Sequence, residues 1–174
     1  MYQVGEFIVH PGQGVCRVED VSAGPDATYK LLPVGQRHAM HISFPVSNES
    51  RLRPILSAEE AREIIDQYPQ MDVDDYADRN NSLEEQHFKQ EIRNGSCRDT
   101  VRVAKTFSAR IAEVEGRNKK APVAYGRILK LARERSLQEL SCALDCTPED
   151  VAALFETSLA GDPSENEAVF SANS

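Results

Sequence analysis

Tryptophan is absent from the 174 residues, cysteine occurs four times, and no apolar run approaches the roughly 20 residues that span a bilayer. The last absence excludes a transmembrane helix. The four cysteines, Cys16, Cys97, Cys142 and Cys146, are too scattered for a small disulfide scaffold. No positively charged, apolar leader opens the chain, so a reducing cytoplasm is the expected setting. Phosphate loops, dinucleotide fingerprints, nucleophile elbows and helical zinc-protease motifs are all missing, and neither catalysis nor a cofactor is expected. Basic residues are in deficit, 20 against 28 acidic, for a net charge of -8. The molecule as a whole therefore repels a phosphate backbone, and any nucleic-acid role must be local.

What is present is unevenly distributed. Residues 1–57 carry five basic and five acidic side chains, and residues 58–86 carry two and ten. The balance reverses over 87–140, with thirteen basic and six acidic, and the last 34 residues hold seven acids and no Lys or Arg. A neutral third, an acidic stretch, a basic stretch and an acidic tail suggest more than one working surface.

The neutral third reads as β structure. Val4–His10 mixes β-branched and aromatic residues and stops at Pro11-Gly12-Gln13-Gly14, where both glycines are expected to supply positive φ before a return strand over Val15–Val21. Gly24-Pro25-Asp26 marks a second turn, and Tyr29–Val34 and His41–Val46 read as further strands. Four or five short strands in under sixty residues predict a small antiparallel barrel of the SH3 or Tudor kind over residues 1–57. From Ser57 the period becomes helical. Ser57 and Glu60 form a capping-box signature for a helix reaching Gln67. Leu83, Phe88 and Ile92 predict a second helix with a C-cap at Asn94-Gly95, and Val103, Ala104, Phe107, Ile111 and Val114 a third. Val123–Leu144 is the longest, and Thr147-Pro148-Glu149-Asp150 caps a fifth. The fold class expected is thus α+β, a barrel followed by an all-α domain over 58–160, with a disordered acidic tail over 161–174.

Few side chains carry readable chemistry. His38 and His41 stand three apart, which on a strand places them on opposite faces, so no metal site is expected there. Cys142 and Cys146 are spaced i, i+4 but lack further ligands nearby in sequence. The basic stretch is the stronger candidate: Lys89, Arg93, Arg98, Arg102 and Lys105 come from two successive helices, followed by a group of Arg110, Arg117, Lys119 and Lys120. On the longest helix Arg127, Lys130 and Arg133 step by three along roughly one face, suited to following DNA phosphates. The competing reading is a surface that offsets the acids of 58–86.

Several stretches are similar to one family. Tyr2-Gln3-Val4-Gly5-Glu6-Phe7-Ile8-Val9-His10-Pro11-Gly12-Gln13-Gly14-Val15 resembles the opening of the CarD/CdnL bacterial transcription regulators, with His10 where the family usually has Tyr. Ser43-Phe44-Pro45-Val46 and Leu52-Arg53-Pro54-Ile55-Leu56-Ser57 resemble the strand and the joint leading into the first helix. Ile92-Arg93-Asn94-Gly95 resembles an inter-helix turn, and Ala132-Arg133 with Glu139-Leu140 the long helix. These matches run in order over about residues 1–145.

The resemblance implies a Tudor-like domain, shared with transcription-repair coupling factors, that binds the β subunit of RNA polymerase, and a helical domain near the upstream edge of the promoter bubble. It implies regulation of the open complex without catalysis, by a cytoplasmic, monomeric protein. Two positions depart from the family. Asn81 stands where the resemblance places a minor-groove wedge Trp, with Leu83 and Glu84 at the following basic positions, and Ser43 stands where it places a polymerase-contacting Arg. An amide does not unstack a base step as an aromatic plate does, and Glu84 and Glu85 repel phosphate, so direct promoter binding is expected to be weak or absent. The alternative is a binding module of the same fold serving a different protein partner with no DNA role.

Overall fold

The computed structural model describes residues 1–161, and the chain divides into two compact units, Met1–Leu56 and Ser57–Ser174. The expected tail lies outside the described residues beyond Gly161.

The first unit is a five-stranded antiparallel sheet: β1 (Phe7–His10), β2 (Gly14–Val21), β3 (Thr28–Pro33), β4 (Ile42–Pro45) and β5 (Arg53–Pro54), in the order β4-β3-β2-β1-β5. Its core is Ile8, Cys16, Val18, Tyr29, Leu31, Phe44 and Leu52. Side chains from the central strands, from the β4 edge and from the approach to β5 share this cluster, so the sheet curls around one interior.

β1 begins later than Val4 because Gly5, at φ +93°, turns the chain and donates its N–H to the Val18 carbonyl, 2.8 Å away. In the β1–β2 turn only Gly14, at φ +80°, needs the left-handed region. Gly12, expected to share that role, instead donates its N–H to His10 Nδ1 (3.0 Å), which also accepts from Gln13 N–H (3.2 Å). His10 is thus a turn residue, its ring edge-on to Phe44 at 5.3 Å. The strand expected to reach Val46 stops at Pro45, and a 3-10 helix over Val46–Arg51 carries the chain across to β5. β5 is two residues long, too short for any periodic signal.

The second unit has five helices: α1 (Ala58–Gln67), α2 (Asn81–Asn94), α3 (Cys97–Gly116), α4 (Val123–Leu144) and α5 (Pro148–Ala160). Capping boxes at Ser57/Glu60, Ser96/Asp99 and Thr147/Asp150 start α1, α3 and α5. The Ser96 box sets the start of α3 six residues before Val103, where the apolar period had placed it. Gly95 ends α2 with extended backbone (φ -83°, ψ 177°) rather than the left-handed form common at such caps. Its glycine is required by space, since a Cβ there would lie 2.5 Å from the Glu91 carbonyl oxygen. Aromatic rings link the helices: Phe107 of α3 meets Phe88 of α2 at 4.8 Å and Tyr125 of α4 at 5.1 Å, and Tyr68 meets Phe155 of α5 at 5.0 Å.

Leu83 does not belong to this core. It is 49% exposed, and Glu84 is the buried residue of that turn, at 3%. The reason is angular: 84, 88 and 92 are spaced by four along one stripe, while Leu83 lies about 100° away around the helix.

Candidate protein and nucleic-acid interfaces

β4 is one edge of the sheet, and its hydrogen-bonding parity follows from one observed bond. Val46 N–H donates to the Ala27 carbonyl at 2.9 Å, and Tyr29 lies opposite Phe44 and Leu31 opposite Ile42. Hydrogen-bonded pairs alternate in an antiparallel ladder, so Phe44 and Ile42 direct their backbone groups to β3. Ser43 and Pro45 direct theirs outward. Proline has no N–H, so the outward face of β4 offers two carbonyls and a single donor, the N–H of Ser43. Ser43 and Pro45 are exposed while Phe44 is buried, which anchors the edge without covering it. The opposite edge, β5, is two residues ending in Pro54.

The chain leaving β4 is pinned by a polar lock. The Tyr29 hydroxyl is buried, accepts the Tyr2 N–H at 3.0 Å and donates to Glu49 in the 3-10 helix. Glu49 also lies 3.0 Å from the Met1 ammonium. The Tyr29 hydrogen bond, then the ammonium, hold the Glu49 carboxyl below the usual range, while burial and Glu49 raise the Tyr29 hydroxyl. Fixing the 3-10 helix fixes where β4 stops.

The expected phosphate contacts are less available than their sequence suggests. Arg127 forms a two-pronged pair with Glu85 of α2, its Nε and Nη2 at 2.9 and 3.0 Å from the two carboxylate oxygens. Lys89 approaches the same carboxylate at 2.9 Å. Arg127, then Lys89, depress the Glu85 carboxyl to about 2, so it remains charged and keeps Arg127 engaged. Lys130 is 77% exposed, with only Glu134 within 4.0 Å. Arg133 is half-buried rather than in line with the others. Each three-residue step falls about 60° short of a full turn, so Arg133 is about 120° from Arg127.

Lys105, Arg110 and Arg102 are bound into the second unit, whereas Arg93, Arg117, Lys119 and Lys120 are exposed. Lys105, 6% exposed, donates to the carbonyls of Tyr68 and Pro69 at 2.8 and 3.1 Å. Arg110 packs against Phe88 and Phe107, donates to the carbonyls of Asp74 and Tyr76, and lies 3.4 Å from buried Glu84. Arg102 bonds Glu91 at 3.1 Å, and that bond raises its pKa. Arg110 and Arg102 thus tie the irregular segment 71–80 to α2 and α3. Glu84 and Glu85, expected to repel phosphate, are therefore each offset by an arginine.

Asn81 opens α2 beside the N-cap Asn80, whose side chain accepts the N–H groups of Ser82 and Leu83. Tyr76, the nearest upstream aromatic, is stacked on His87 with centroids 3.6 Å apart and planes 14° from parallel. His38 and His41 are both exposed and precede β4 rather than lying on a strand. Burial raises both the Cys142 and the Cys146 thiols. Among the described residues no three His, Cys, Asp or Glu side chains cluster as a metal site, and no helix is long and apolar enough to cross a membrane.

No curated protein matches the chain. Its first unit does match a known family: the matched residues, 2–56, contain the whole sheet and end at Leu56, where the first compact unit ends. The chain thus carries at its N-terminus a CarD-like/TRCF RID domain.

Proposed function

We propose that this chain is a transcription regulator that binds the β subunit of RNA polymerase through residues 1–57 and modulates the formation or stability of the promoter open complex. The match of residues 2–56 to the CarD-like/TRCF RID domain carries this reading, because domains of that family bind the polymerase β subunit. The open β4 edge supports it physically. An edge strand adds a partner strand through backbone groups and depends little on side-chain identity, so Ser43 in place of an Arg does not remove the contact. The RID domain also occurs in a helicase-containing protein, but members of the CarD-like family are typically non-catalytic regulators, and that is the role we propose. A regulator of this kind binds one intermediate of promoter opening better than another and shifts the population by that difference. DNA contributes weakly, through Lys130 and whatever fraction of Arg127 leaves Glu85.

The test is co-purification of polymerase on the full chain, followed by binding to the isolated β subunit. Retention of polymerase through β supports the proposal, and failure to bind either refutes it. A second reading, the same edge serving another protein, rests on Ser43 standing where the family resemblance places an Arg; capture of a different partner through β4 would favour it.

A further inference from the structure

An open groove of about 540 Å³ is lined by α1, α5 and the turn that leaves α4. Its apolar lining is Ile65, Leu144, Ala153 and Leu154, with Leu154 44% exposed. Arg62, Asp66, Asp150 and Cys146 line it as well. We propose that the chain's own C-terminal segment Ala168-Val169-Phe170 docks in this groove. Those three residues are the longest apolar run after Gly161, and Phe170 is the only aromatic there. The reach is sufficient. Eight residue steps separate Gly161 from Val169, up to about 26 Å of extended chain, whereas Leu154 lies only about 10 Å back along α5.

Glu165 and Glu167 precede the apolar run, and Arg62 is the one basic residue lining the groove that they can meet, against the opposing charges of Asp66 and Asp150. Tethering supplies what three apolar residues alone do not: a covalent connection of a few residues gives an effective concentration of order millimolar, enough to occupy a site of modest intrinsic affinity.

Cys146 reports occupancy. In the full chain, N-ethylmaleimide labelling of Cys146, resolved from the other cysteines by mass spectrometry, should accelerate several-fold when Val169 and Phe170 are both replaced by Ser. The same acceleration should follow Arg62→Glu. Cys142, half-buried and not lining the groove, serves as the internal reference and should keep its rate. A thermal melt of the double variant that matches wild type excludes a loss of folding as the cause. Equal Cys146 rates in wild type and the double variant would overturn the proposal. So would protection that grows with protein concentration, which would assign the groove to the tail of a second copy.

Discussion

Ser43→Pro isolates the backbone contribution of the β4 edge. Ser43 supplies the only outward N–H on that strand, and that N–H takes no part in the ladder to β3. Proline there removes the donor and places its ring where a partner carbonyl would approach. The fold should tolerate it, since proline is accepted on edge strands where its N–H side faces out, and Ile42 is already in the extended conformation that a following proline favours. The loss on binding is one backbone hydrogen bond plus a partner carbonyl left buried without a donor, about 1–3 kcal/mol. That corresponds to a roughly 5- to 150-fold weaker Kd for polymerase. Titration of labelled full-length protein with core polymerase measures it, with a thermal melt to verify folding and Ser43→Ala as the variant that keeps the N–H. An unchanged Kd for Ser43→Pro, with the fold intact, would refute strand addition at this edge. Equal weakening by Ala and Pro would mean that the serine side chain, not the backbone, makes the contact.

Phe107→Ala should cost about 3–5 kcal/mol by urea unfolding, since its ring is fully buried between Phe88 and Tyr125. The Glu85 carboxyl is depressed from 4.5 to about 2, so its stabilising contribution is complete above the unfolded value and is lost as the pH falls from about 4.5 through about 2. Glu85→Gln should accordingly flatten the stability profile in that window. The same variant frees Arg127 for phosphate, and duplex binding measured against salt should steepen by about 0.9 in slope; no change would show that Arg127 does not face DNA. Asn81→Trp should strengthen binding to bubble-containing promoter DNA in the presence of polymerase, and fluorescence of the introduced indole reports whether it stacks on a base.

The elements most legible in the sequence were those whose signal is local. The capping boxes at Ser57 and Thr147 sit within four residues of the helices they start, and α4 has the bounds read from the sequence, Val123–Leu144. β5 was illegible for the opposite reason. Its two residues become a strand only because Val9 and Ile8 lie across from Arg53 and Pro54, more than forty positions away in the chain. The β4 edge could be anticipated as an edge from its closing proline, but its single outward donor depends on ladder parity, which no sequence period states.

The basic stretch shows the same limit in electrostatic form. Counting charges by segment separates ten acids in 58–86 from thirteen bases in 87–140, and two working surfaces follow naturally from the count. Folding sets the two against each other: Arg127 meets Glu85 across 42 residues, Arg110 meets Glu84, and Arg102 reaches Glu91 and Asp74. A helical period shows which charges share a face of their own helix but not which face lies opposite. Arg127 and Lys130 look equivalent in sequence, yet one already has a carboxylate and the other is largely solvated. The energetic consequence is directional: a phosphate approaching Arg127 would have to displace Glu85, so the ion pair lowers the phosphate affinity of this face without any loss of basic residues.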